Sequence, residues 1–210
     1  NIATAANIYN TAVGGAAGGA VTTGVSNTLI GGLSGDALTD ADQNVALGYA
    51  ALSSDTLGSN SVAIGYAALV AQNFTTATNS YNTAVGASAG GAVTTGVQNT
   101  LMGGLAGDAL NTGGNNVAVG HNALTTETGA SASVAIGKEA LRDQNVSSGS
   151  SNNVAVGFEA GKLVTTGVQN VLIGSIAGDA LTDSDFNVAI GYQALSADTL
   201  GNSSIAIGYN

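Results

Sequence analysis

The sequence predicts an all-β chain wound as a parallel β-solenoid, and three observations carry that prediction. A five-residue word of the form Asn/Ser, β-branched, Ala/Leu, aliphatic, Gly starts at Asn10, Asn27, Asn44, Ser61, Asn82, Asn99, Asn116, Ser133, Asn153, Asn170, Asn187 and Ser204. The spacing is 17 residues except for 21 after Ser61 and 20 after Ser133. A fixed period of this kind is the signature of stacked repeats. A second period groups the words in fours, because VTTGV segments (Val21–Val25, Val93–Val97, Val164–Val168) and GDAL segments (from Gly35, Gly107 and Gly178) recur once per four words. No stretch shows the 3.6-residue periodicity that a helical repeat would need over ten or more residues.

Seventeen residues accommodate two or three short strands with tight corners, and successive coils would stack about 4.8 Å apart with parallel pairing. The array divides into super-repeats 10–81, 82–152 and 153–210 within a single domain, 1–210, of twelve coils of about 17 residues. Polar insertions near 73–80 and 144–151 read as surface loops, and Asn1–Ile8 aligns with the first of them. The fifth position is always Gly, as a corner requires. The fourth position (Val13, Ile30, Leu47, Ile64 and onward) is always aliphatic and is expected to be the core column. The third (Ala12, Leu29, Ala46, Ala63) would then face outward, since neighbours in a strand alternate. A strand apolar on both sides is expected to be covered on both. Position eight is Ala in ten of eleven coils, Ser34 being the exception, which predicts a second short strand. The Asn/Ser column is placed to hydrogen-bond from coil to coil and so to help fix register.

Composition excludes several classes. The 210 residues contain no Cys, Pro or Trp and carry 13 acidic against 3 basic side chains, a net charge of −10. Nucleic acid is not an expected partner, because its phosphates demand a basic footprint. No run approaches the roughly 18 apolar residues of a membrane helix, so no membrane insertion is expected within this segment. With one His and no Cys a His/Cys metal cluster cannot be assembled, and His121 stands in a repeating column that reads as a surface ladder position rather than the base of a nucleophile–base–orienter set, so the chain is not expected to be an enzyme.

The words SVAIG (Ser61–Gly65, Ser133–Gly137), NTAVG and NVAVG resemble the head repeats of YadA-like trimeric autotransporter adhesins, and the 17-residue NVAxGYxAL…TTG form is similar to repeats of phage tail-fibre proteins. The resemblance runs along essentially the whole chain. It implies a left-handed β-roll associating as a homotrimer on an extracellular, bacterial cell-surface or virion structure. The four-coil super-repeat favours the fibre member of the pair. The expected function is a structural fibre or adhesin shaft that mediates attachment.

A second reading is a ligand-binding solenoid. The aromatic column after the corner Gly, namely Tyr49, Tyr66, Phe158, Tyr192 and Tyr209 with His121 in the same column, could present rings to a repetitive host-surface glycan or receptor. A Thr column through Thr22, Thr39 and Thr56 raises ice binding more weakly. Asp40, Asp42 and Asn44, with Asp183, Asp185 and Asn187, imitate part of an oxygen-rich calcium loop, but Thr112 and Gly114 break that pattern in the middle super-repeat. No cofactor beyond an optional structural calcium is therefore expected, and the carboxylates, Asp55 and Asp198 included, are expected to be solvated at corners. Because the register runs on through Asn210, the array is also expected to continue head to tail with itself or with further coils.

Overall fold

The computed structural model describes residues 9–210; the Asn1–Ile8 segment lies outside the described residues. Fourteen short strands run in order: β1 (Thr11–Val13), β2 (Thr28–Ile30), β3 (Val45–Leu47), β4 (Gly58–Ser59), β5 (Val62–Ile64), β6 (Thr78–Asn79), β7 (Thr83–Val85), β8 (Thr100–Met102), β9 (Val117–Val119), β10 (Val134–Ile136), β11 (Val154–Val156), β12 (Val171–Ile173), β13 (Val188–Ile190) and β14 (Ile205–Ile207). Twelve of them, one per repeat word, form a single parallel sheet in chain order, with β4 and β6 paired separately. Register is word on word, as in Val45↔Val62 and Ala46↔Ala63, so each coil rises by one strand spacing. The chain is a β-solenoid.

The strand faces are the reverse of the expectation. The third position is the core: Leu29, Ala46, Ala63, Ala84, Leu101, Ala118 and their successors to Ala189 are fully buried. The fourth position points outward, where Ile64 is half-buried and Ile136 and Ile173 are each 38% exposed. The physical reason is volume. Between them positions three and nine admit about one large side chain per coil, supplied in alternation, and position twelve adds a buried Val or Leu such as Leu38, Val93 or Leu110. Where position three is Leu, position nine is Gly: a Cβ built on Gly107 would lie 2.8 Å from Leu101 Cδ2. Where position three is Ala, position nine is Leu in five of eight coils, giving the buried Leu52, Leu69, Leu124 and Leu141 and the partly buried Leu195. Coils with Ala and Gly at the two places are filled from the next coil, as Leu29 Cδ1 fills the space beside Gly18. Within the words only Ala and Leu take the inner position and the β-branched side chains of positions two and four go to the outer face, whereas Val93 and Val164 are buried at position twelve.

No second strand forms around position eight. Ala68, Ala89 and their equivalents are buried, but the wall is a run of turns, because position seven takes a positive φ in every described coil. It does so even where the residue is Leu33, Leu105 or Ile176. The residue before each word does the same, for example Gln98 at φ 61. These left-handed residues break strand geometry and let 17 residues close a coil, at a cost of roughly 1 kcal/mol or more each. Coil-to-coil backbone bonds such as Leu52 N to Ala68 O (3.0 Å) persist through these turns.

The Asn column behaves as expected and does two things at once. Asn99, fully buried, donates from Nδ2 across its own coil to Gly113 O (2.9 Å) and accepts at Oδ1 from Asn116 N of the next coil (3.0 Å). The same pair recurs at Asn27, Asn44 and Asn170. Each Asn thereby closes one coil and ties it to the next.

Candidate functional site

The outer face of the twelve-stranded sheet has a composition unlike the rest of the surface. Positions two and four of the words point out, and of these 24 residues only Thr11, Thr28, Thr83 and Thr100 are polar. None of the thirteen carboxylates stands in a strand; all lie between a corner Gly and the next word. Eleven spacings of about 4.8 Å make this stripe about 53 Å long, and three residues make it about 10 Å wide. Roughly 500 Å² of contiguous, uncharged apolar surface lies at the top of the range that monomers present without a partner. Leu47, Met102 and Ile173 are among its exposed side chains.

Along one edge of the stripe runs the aromatic column. Tyr49 and Tyr66 are 54% and 61% exposed and stack with ring centroids 5.8 Å apart and planes within 11°. Tyr192 and Tyr209 repeat this at 5.3 Å and 20°. Each ring covers one face of its partner, so a pair offers its two outer faces, its edges and its hydroxyls. His121 is exposed in the same column, and Phe158 lies beneath the Lys138 ammonium, 5.6 Å from the ring centroid.

All three cations of the chain sit in one network at coils eight and nine. Glu139 meets Lys162 (2.9 Å), Arg142 (3.1 Å) and Lys138 (3.4 Å), while Arg142 also pairs with Asp143 (2.6 Å) and Lys162 with Glu159 (3.3 Å). The hydrogen bond from Lys162, opposed by desolvation and helped by Lys138, lowers the Glu139 carboxyl from 4.5 to about 2. Carboxylate hydrogen bonds, led by Asp143, raise Arg142. A carboxyl lowered in the folded state stabilises the fold above its unfolded pKa, and that contribution disappears as pH falls through the folded one. The stability difference between the parent and Glu139→Gln, read from urea midpoints, is therefore expected to be full above about pH 4.5 and to vanish toward pH 2. Asp179 works in the opposite sense, because burial raises it and the cost of ionising it is relieved as pH falls.

The calcium-like residues are spent elsewhere. Asn44 and Asn187 are buried members of the Asn ladder. Asp42 and Asp185 accept from Val25 N and Val168 N of the preceding coil (2.7 and 2.8 Å), and Asp40 accepts from Thr23. Asp183 is exposed and accepts from Thr182. Among the described residues no three His, Cys, Asp or Glu side chains converge on a point that could hold a metal ion. The Thr column also uses its hydroxyls internally: Thr22, Thr39 and Thr182 donate to the carbonyls of Thr39, Thr56 and Thr199.

Asp55 corrects the expectation of solvated corners. It and Glu127 are fully buried at position twelve, where the preceding coils carry Val or Leu. Asp55 Oδ1 accepts from Gly58 N and Phe74 N, both at 3.0 Å, and Oδ2 from Gln72 Nε2 at 2.6 Å. Glu127 accepts from Gly129, Ala130 and Val146 amides and from Gln144 Nε2. Gln72 continues to Ser61 Oγ (2.8 Å) and accepts from Asn82 Nδ2 (2.8 Å). The fourth and eighth coils thus each carry a hydrogen-bonded polar layer through the core. It explains why Ser, too short to span the coil, replaces Asn there, and it seats the insertions: Phe74 is buried, so the first is more than a surface loop. The acid–Gln pair 17 residues apart, 55/72 and 127/144, was the sequence signal for it.

Neither a family model, a curated protein nor a solved structure matches this chain.

Proposed function

We propose that the chain is a structural rod module, a fibre or adhesin shaft, whose uncharged sheet face associates with further copies of itself, three around an axis. The supporting observation is the segregation of charge: a continuous apolar stripe free of carboxylates on a chain of net charge −10. Depletion of charge with retained apolar area marks interface cores. Association of that face leaves the acids outward, where like-charge repulsion keeps assemblies apart. A fibre works by being long, stiff and hard to digest. Here trypsin finds only Lys138, Arg142 and Lys162, all tied into one ion-pair network. Display at a bacterial surface or on a virion, and attachment to a host glycan or receptor, extend the proposal on the resemblance of the repeat words.

Native mass in solution tests it. A trimer is expected at micromolar concentration, and Ile64→Lys with Ile136→Lys is expected to yield folded monomers, because both side chains point out of the coil and their loss spares the interior. A stable parent monomer overturns the association.

A further inference from the structure

We propose that the stacked tyrosine pairs, Tyr49 with Tyr66 and Tyr192 with Tyr209, are oxidative crosslinking sites: a peroxidase using hydrogen peroxide would convert each to an intrachain dityrosine that staples one coil to the next. This goes beyond the rod reading and does not depend on it, since both partners of each bond lie in one chain.

Geometry carries it. The backbone ladder holds residues of one column about 4.8 Å apart, within stacking reach of neighbouring rings. It appears twice at equivalent places, with centroids 5.8 and 5.3 Å apart and planes within 11° and 20°. All four rings are exposed, within reach of a diffusing oxidant. The composition offers a radical few other destinations, because the chain contains no Trp or Cys and a single Met. Tyr81 supplies an internal control: it is exposed, but its column neighbours are Asn60 and Gln98, so no ring lies next to it in the stack.

The chemistry balances. Each phenol gives up one electron and its hydroxyl proton, and the two phenoxyl radicals join at the ring carbons next to the oxygens. The hydrogens on those carbons move to the oxygens as the rings regain aromaticity. Peroxide takes the two electrons and two protons to form two waters, so each pair loses two hydrogens in all.

The test treats the folded chain of residues 1–210 with peroxidase and peroxide, then denatures it and cleaves at acidic residues. Asp55 lies between the first pair and Asp198 between the second, so the rings part unless they are joined. Two crosslinked peptides are expected, each lighter by two hydrogens than its separate halves and fluorescent as dityrosine. Tyr49→Phe should remove the first alone, Tyr192→Phe the second alone, and Tyr81→Phe neither. Coupling of Tyr81 in preference to the pairs would overturn the proposal, as would dityrosine formed only between chains or equal yield from the urea-unfolded chain.

Discussion

Gly103→Ala is expected to destabilise the solenoid by more than about 4 kcal/mol, the range reserved for steric or strained-backbone lesions. Gly103 is the corner after β8 and sits at φ 135, a region that side chains other than hydrogen scarcely enter. A Cβ there would stand 2.6 Å from the carbonyl oxygen of Gly120, the corner of the next coil. Backbone cannot yield as a flexible side-chain tip can, so the coil spacing must open locally and the ladder bonds on either side are lost with it. The same close approach recurs along the corner column, as between Gly65 and the oxygen of Gly86 at 2.5 Å. Gly15, one residue beyond the first corner, has no heavy atom within 4 Å of its would-be Cβ. Gly15→Ala should therefore stay within about 0.5 kcal/mol. Urea unfolding of the two variants checks the pair, and equal effects would show that the corner spacing is not constraining.

Leu101→Ala is expected to cost about 2–5 kcal/mol, the transfer free energy of the lost carbons plus that of the cavity left behind. Leu101 is fully buried at position three of its coil, with Gly90, Gly107 and Leu110 around it. The glycines beside it, Gly90 and Gly107, offer no side chain to fill the gap, and Leu110 already fills its own place at position twelve. The loss should be independent of protein concentration. Ile136→Ala on the outer face should behave differently: in an associating protein its cost shrinks on dilution, since mass action removes the partner that covers it. Chemical denaturation at two concentrations separates the two behaviours.

Several features were legible because they repeat as identical residues. The 17-residue pitch, the corner glycines and the Asn ladder each occupy a fixed column, and each demands one residue type for a geometric reason: φ near 135 and a close backbone approach at the corner, or simultaneous reach across and along the coil for Asn. The aromatic column was legible as exposed, but its pairing into stacks depends on ring orientation, which no spacing encodes.

Strand parity was not legible from hydrophobicity, because both faces are apolar and a period of two assigns neither to the interior. Tertiary volume decided it. The space shared by positions three and nine holds about one Leu, so position three is Ala or Leu, and the exchange of Leu and Gly between the two positions was the trace of that limit in the sequence. The left-handed residues at position seven and before each word were equally hidden, since Leu33, Gln98 and Ile176 carry no intrinsic preference for positive φ. They adopt it because closing a 17-residue coil requires it. Asp55 and Glu127 looked like solvated acids by type; only the folded chain brings backbone amides and a Gln to them and makes their burial affordable. The sequence by itself determined the pitch, the corners and the ladder. The interior, the exposed face and the polar layers were decided by how much volume and how many hydrogen-bond partners each closed coil could offer.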